Sequence, residues 1–382
     1  MRDIAIVEAV RAPVGRRNGS LCGILPAHLA ARVLKELIAR AQIDPTLIED
    51  VVFGCVTPLG EQGANIARLA VLQAGLPVDV PAVTLNRMCG SGQQAVHFAA
   101  QAIAAGDMDV VIAGGIEMMS RVPLGSDWPK DWPPDFLYPL VHQGLSAEMV
   151  AEQWGLSREQ LDCFAYESHV KAAAATRRGD FAAQLTPIEF TQPDGSPGVL
   201  NYDEGIRFEP NLEKMAQLPP AFKPDGVITA GNASQISDGC AALLLMSLDR
   251  AIGLGLKPRA RFAARSVVGS DPVIMLTGPI PATRKALDRA GLSIGQIDAI
   301  EINEAFASVV LAWQREIEPD PARVNPNGGA IAMGHPLGAT GAILMTKLLH
   351  QLERTGGRYG LQTMCIGHGQ ATATIIENLA RD

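Results

Sequence analysis

The chain is poor in aromatic residues and in charge: of its 382 residues, Phe, Trp and Tyr make up 5% and Asp, Glu, Lys and Arg 19%. A nucleic-acid surface would need a basic stripe. The formal net charge is instead −8, and the densest basic spot, Arg11 to Arg17, holds three arginines. No nucleic-acid partner is expected. The cysteines, at positions 22, 55, 89, 163, 240 and 365, are scattered, and no two are three apart. That spacing is neither a zinc pattern nor a small disulfide framework, so no metal is expected and a reduced, cytoplasmic chain is. No apolar run is long enough to span a bilayer. The first ten residues are too short and too charged for a secretory leader. No dinucleotide-binding loop occurs near the N-terminus, which argues against a plain NAD-type dehydrogenase.

What is abundant is aliphatic: 47% of the chain is hydrophobic, mostly Ala, Val, Leu and Ile. Such a composition suits helices packed on both faces of buried sheets, and the length suggests two or three domain-sized units. Two regions share a rhythm. In the first, a helix over Pro26 to Arg40 leads to a strand at Asp50 to Gly54. Cys89, a helix from Gln93 to Ala105, and a strand from Val110 to Ala113 ending in Gly114-Gly115 follow. In the second, a helix over Ala282 to Ala290 leads to a strand at Asp298 to Ile302. His335, a helix from Ala342 to Glu353, and a strand ending at Cys365-Ile366-Gly367 follow. Asp50 lies 39 positions before Cys89 and Asp298 lies 37 before His335, so the chain reads as a duplicated α/β half with mainly parallel sheets.

The halves are expected at 1–119, with part of 248–265, and at 248–382. The stretch 120–247 between them has another texture. It opens with an irregular loop carrying Trp128, Pro129, Trp132, Pro133 and Pro134, continues as one helical stretch from Ser146 to Arg178, and becomes turn-rich around Pro193-Asp194-Gly195 and Pro197-Gly198. We read it as an inserted covering region, a usual place for substrate contacts.

Four clusters carry chemistry. Asn86-Arg87-Met88-Cys89-Gly90-Ser91-Gly92 directly precedes a helix, whose N-terminal dipole favours a thiolate, while the glycines admit a thioester. A small buried cysteine at a tight turn is the alternative. Asn303-Glu304-Ala305-Phe306 follows a strand, where open α/β sheets bind ligands; a helix cap is the alternative. In Asn327 to Gly341, His335 stands between Gly334 and Pro336 in a glycine-rich run that fits neither phosphate-loop register, so a base or oxyanion donor is indicated. In Cys365-Ile366-Gly367-His368-Gly369-Gln370, a second thiol in a glycine turn could exchange a proton with a carbon acid; a plain β-turn is the alternative.

The order and spacing of these clusters, with Val10-Arg11-Ala12-Pro13-Val14-Gly15 and Thr229-Ala230-Gly231-Asn232-Ala233-Ser234, resemble the thiolases over nearly the whole length. The resemblance implies an α-β-α-β-α fold of two similar halves with an inserted loop domain, and acyltransfer between 3-oxoacyl-CoA and coenzyme A. Coenzyme A would be a substrate, with no permanently bound cofactor. It implies that Cys89 becomes acylated, that His335 draws off its proton, and that Cys365 serves as acid/base at the α-carbon of acetyl-CoA. Asn303 would hold a water that binds the enolate oxygen together with His335. The N–H groups of Cys89 and Gly367 would form a second oxyanion hole. Arg207 and Ser234 would touch the nucleotide and pantetheine portions, and His142, Ala230, Gly231 and Phe306 would line the pantetheine tunnel. A homodimer or homotetramer is implied.

The sequence departs from the family pattern in three places. His368 and Ala371 replace glycines of the Cys365 turn, and Gln143 replaces a methionine frequent in short-chain members, so the acyl pocket should differ in size or polarity. Two other readings share the fold: a ketoacyl-synthase-type condensing enzyme, disfavoured by Cys365 and the Asn303 cluster, and a non-catalytic coenzyme A-binding subunit, kept open by His368.

Overall fold

The computed structural model describes residues 2–380; the end residues 1, 381 and 382 of the two expected halves lie outside them. The first half builds β1 (Ile4–Arg11), β2 (Gly15–Arg16), α1 (Pro26–Ala41), β3 (Asp50–Gly54), α2 (Ile66–Ala74), β4 (Ala82–Leu85), α3 (Ser91–Ala105) and β5 (Val110–Met118). The middle of the chain forms α4 (Gln143–Gln153), α5 (Arg158–Arg178), the hairpin β6 (Ile188–Thr191) and β7 (Pro197–Leu200), and α6 (Leu212–Ala216). Then come β8 (Ser237–Ser247) and α7 (Leu248–Gly253). The last part forms β9 (Ala260–Gly269), α8 (Pro279–Ala290), β10 (Ala299–Ile302), α9 (Ala307–Ile317), α10 (Ala330–Met333), α11 (Leu337–Thr355), β11 (Tyr359–Ile366) and β12 (Gln370–Asn378).

The duplication is visible in the pairing. β3 runs parallel to β5, and β5 antiparallel to β8, which pairs antiparallel with β1. Likewise β10 runs parallel to β11, and β11 antiparallel to β12, which pairs antiparallel with β9. The two sheets join where β1 meets β9 through Ala5–Arg261 and Ile6–Ala260. Helices α1 and α2 pack one sheet through Leu29, Val33, Leu37, Ile66 and Val71, against Ile112 and Leu244. Helices α8 and α9 pack the other through Ala286, Leu287, Val310 and Trp313. Between them lie α3 and α11, touching both sheets. These are five layers, α-β-α-β-α. Helix α11 is buried almost all round because it has a sheet on either side.

Several expectations need correction, beginning with the mainly parallel sheets: among the described strands, only β3–β4, β3–β5 and β10–β11 pair in parallel. The covering region does not run to Ser247: residues 237–247 form β8, between β1 and β5 in the first half's sheet. Nor does β9 belong to the first half, since it pairs along its length with β12. The helical stretch from Ser146 to Arg178 is two helices, interrupted at Gly155 (φ 55°) and restarted by a capping box of Ser157 with Gln160. Strand β5 continues past Gly114-Gly115 to Met118, and α11 begins at Leu337 instead of Ala342.

The insertion thus occupies 119–236, between β5 and β8. The equivalent place in the second half, between β11 and β12, is the three-residue turn Gly367-His368-Gly369. A buried ion pair ties the insertion down: the Arg11 guanidinium of β1 meets both oxygens of Asp203, at 2.6 and 2.9 Å, and Gln184 at 2.7 Å.

Candidate active site

Where α3 and α11 start, their backbones touch. A β-carbon on Gly92 would lie 2.7 Å from the Gly338 oxygen, and one on Gly341 would overlap the Gln93 nitrogen. Those glycines serve helix-to-helix approach; we had read the ones near Cys89 as room for substrate. The crossing sets Cys89, just before α3, beside His335, just before α11. Glu117 at the end of β5 locks the junction: its carboxylate accepts from Val56 N (2.7 Å), Thr57 N (3.2 Å), Gln62 Nε2 (2.9 Å) and Gly338 N (2.9 Å). The last of these satisfies a free N–H at the α11 N-terminus.

A cavity of about 840 Å³ opens above this junction. Cys89, His142, Gln143, Ala230, Ser234, Phe306, His335, Cys365 and Gly367 all line it. Three expected residues do not: Asn303, which lies behind the wall, Gly231 and Arg207. Gly231 faces the Leu218 side chain and donates to Thr229 Oγ1 at 3.1 Å, so Thr229 and Phe222 stand on the wall instead. Arg207 is exposed beyond the lining, its N–H bonded to His169 Nδ1 at 3.1 Å. Two sequence clusters meet to build one side: Ser234 N donates to Ala305 O (2.9 Å), and Ala307 N to Asn232 O (2.9 Å). Asn232 in turn is fixed by Asp162 and Val227. Glu304 turns away from the cavity and accepts from Ser168, Asn325 and Ile331, an internal brace.

At the floor, the Gly367 backbone N–H and the Gln143 side chain lie near the Cys89 thiol and act to lower its pKa. Burial nevertheless dominates and pushes the thiol up to about 11. The dipole argument for a resting thiolate therefore fails here, because desolvation outweighs a single helix terminus. His335 is held down to about 4 by burial. Both groups are neutral at pH 7: a thiol beside an imidazole.

The imidazole's proton can be placed. Thr340 Oγ1 donates to Pro336 O at 2.8 Å, so it accepts from His335 Nδ1–H at 2.7 Å. Nε2 then carries the free lone pair and receives the Asn303 amide at 3.2 Å. Asn303 itself sits behind the wall, bonded directly to the ring, and its buried Oδ1 meets no protein donor. Thr340 escaped the sequence reading; its one signal was a hydroxyl five residues after the histidine. Cys365 ends β11, and its thiol is raised far above neutral by burial and then by the neighbouring Cys89 charge. The apolar lining by Val56, Met119 and Met275 also went unread, since no sequence period marks residues from separate loops.

This electrostatic state has a direct readout. Alkylation of Cys89 by iodoacetamide should accelerate about tenfold per pH unit from about pH 7 to about pH 10, because the thiolate fraction grows until the pH passes the thiol's pKa. A rate plateau near neutrality would mean a resting thiolate–imidazolium pair and would contradict the neutral assignment.

Comparison with known proteins agrees along the whole chain. The family model described as thiolase, N-terminal domain matches residues 4–249, and that described as thiolase, C-terminal domain matches 256–378. A steroid 3-ketoacyl-CoA thiolase of Mycobacterium tuberculosis is 49% identical over 393 residues, covering 99% of this chain and 95% of the relative. A 3-ketoacyl-CoA thiolase of Aeromonas hydrophila is 46% identical, covering 99% and 100%. An acetyl-CoA acetyltransferase of Pseudomonas aeruginosa is also 46% identical, covering 100% of both chains.

Proposed function

The chain belongs to the thiolase family, and from that premise we propose that it catalyses 3-oxoacyl-CoA + CoA ⇌ acyl-CoA + acetyl-CoA through an acyl-Cys89 intermediate. The observation that carries the reading is the convergence of the Cys89 sulfur, His335, Cys365 and the Gly367 N–H on one cavity floor.

The chemistry follows from those positions. Nε2 of His335, giving up its contact with the Asn303 amide, takes the Cys89 proton as Sγ attacks the 3-oxo carbon, so the nucleophile is activated only when needed. The oxyanion forms against the N–H groups of Cys89 and Gly367, preorganised donors that cost no rearrangement. Its collapse breaks the C2–C3 bond and leaves the electron pair on C2 as the acetyl-CoA enolate. The new Nε2–H of His335 faces the enolate oxygen, with a water on Asn303 as the second donor. Cys365, protonated at rest, delivers its proton to C2. After acetyl-CoA departs, coenzyme A loses its thiol proton to the Cys365 thiolate and attacks the acyl-Cys89 carbonyl. Cys89 then leaves and recovers its proton from His335.

Coenzyme A acts as a substrate and needs a tunnel to reach Cys89. His142, Phe222, Thr229, Ala230, Ser234 and Phe306 would flank its pantetheine arm. His142 suits this role because its Nδ1 accepts from Gly144 N–H at 3.1 Å while its ring packs 5.2 Å from Phe222, leaving Nε2 to face the ligand. Arg207, exposed, would meet the nucleotide end. A reducing, cytoplasmic setting suits a thiol nucleophile; all six cysteines are free, and no helix among the described residues is long and apolar enough to cross a membrane. The test is thiolysis of acetoacetyl-CoA, read as loss of enolate absorbance. Its absence, and that of cleavage of longer and branched 3-oxoacyl-CoAs, would reject the reading.

We also propose a homo-oligomer. β4 is a free sheet edge with Val83 exposed, and Leu69, Leu72 and Phe98 are exposed on the helices of the same half. Edges and faces of this kind are normally covered. Sedimentation velocity should give at least twice the 40.4 kDa chain mass; a 40.4 kDa species at micromolar concentration would refute it.

A further inference from the structure

The turn that closes β11 onto β12 is the smallest loop over the site, and its middle residue is the least expected one. His368 stands at φ 60°, a left-handed conformation that glycine takes freely and a histidine does not. It directly follows Gly367, which lines the cavity with Cys89. Its ring meets indoles of the insertion: the centroids of Trp128 and Trp132 are each 6.3 Å away, and the two indoles lie 6.3 Å apart, edge to face. Phe136 extends the cluster 5.8 Å from Trp132. Trp128 and His368 both line the cavity beside Met88, Met119 and Leu124. Trp128 is still 46% exposed, so it is a wall of the cavity and not part of the packed core. Charge does not dominate the rim: Arg16 is paired with Glu204, and Arg17 and Asp127 bring opposite signs.

We propose that Trp128 and His368, backed by Trp132, form the specificity-determining wall of the acyl subsite, and that it selects rigid, ring-bearing 3-oxoacyl-CoAs over short linear ones. The inference rests on the thiolase reading of the site and names its substrate class. Flat aromatic faces offer a broad apolar surface that a ring can cover without freezing rotors of its own. A linear chain of equal carbon count loses rotamer freedom on the same surface, and a two- to four-carbon chain has too little area to use it. Flexible Met88 and Met119 can adjust around whichever ring enters. A histidine retained at a strained φ, directly beside an oxyanion donor, fits a residue held for contact with a ligand.

The test compares kcat/KM for thiolysis of 3-oxo-5-cyclohexylpentanoyl-CoA, of linear 3-oxoundecanoyl-CoA with the same number of carbons, and of acetoacetyl-CoA. Wild type should prefer the ring substrate over acetoacetyl-CoA by on the order of tenfold or more, and over the linear one by a smaller factor. Trp128→Ala and His368→Gly should each lower the ring-to-acetoacetyl ratio by about tenfold. The second variant places glycine where φ favours it, so folding is secure, and the ratio cancels losses common to both substrates. A wild-type ratio near one, or a ratio unchanged in both variants, overturns the wall. Failure of wild type on all three substrates would reject the thiolase reading itself, and this inference with it.

Discussion

Cys89→Ala should abolish thiolysis of acetoacetyl-CoA, lowering kcat by about 10⁴-fold or more. No other group can take its place. Gly367 and Gln143 lie near its thiol and act to lower its pKa, and Thr340 fixes the His335 tautomer that leaves Nε2 able to take a proton. Cys365 is the nearest rival thiol, but its burial and the adjacent Cys89 charge raise its pKa further still. The substitution removes one sulfur from a small cluster of Val56, Met119, Leu337 and Met364, so the stability loss should be about 1 kcal/mol. A melting curve beside the assay separates the two effects. A residual rate above about one hundredth of wild type, in a folded variant, would show that acyl transfer does not pass through this sulfur.

Cys365→Ala should divide the reaction in two. Exchange of the α-protons of acetyl-CoA with deuterated water should slow by about 10²- to 10⁴-fold, the usual contribution of a positioned acid or base. Acylation of Cys89 by an acyl-CoA should persist and appear as a mass increase on the protein. The division follows from the protonation states. Burial keeps Cys365 protonated at neutral pH, so it is set to deliver a proton to a carbanion. Acylation needs only Cys89, His335 and the two backbone donors. Exchange at the wild-type rate would assign the proton to another group, and loss of acylation as well would mean that Cys365 also shapes the nucleophile's pocket.

Local patterns were legible where the physics is local. Strand β3 was read to the residue, since a short apolar run bounded by Asp50 and Gly54 has one easy interpretation. The helix before it was found, while α2, the nine-residue helix that follows it, was not. The start of α11 was read five residues late because Gly338 and Gly341 are poor helix formers, kept there for the crossing with α3. Strand β8 was given to the wrong unit for a different reason. All eleven of its residues are buried, and its apolar run over 240–246 has no alternation to separate a sheet strand from the end of the insertion.

The sequence by itself determined the duplicated α/β plan and the family, and it proposed Cys89, His335, Cys365, Asn303 and Gly367, because each lies in a compact run that resembles a family motif. Only the tertiary structure decided their protonation states. Burial is set by distant layers, and it reversed the thiolate expected from the helix terminus alone. It also decided that Thr340 fixes the imidazole, that Thr229 and Phe222 replace Gly231 on the wall, and that His368 meets Trp128 across 240 positions of chain. Contacts of that range leave no period in the sequence; they exist because two sheets clamp one pair of helices and fold the insertion over the turn at its pseudo-equivalent position.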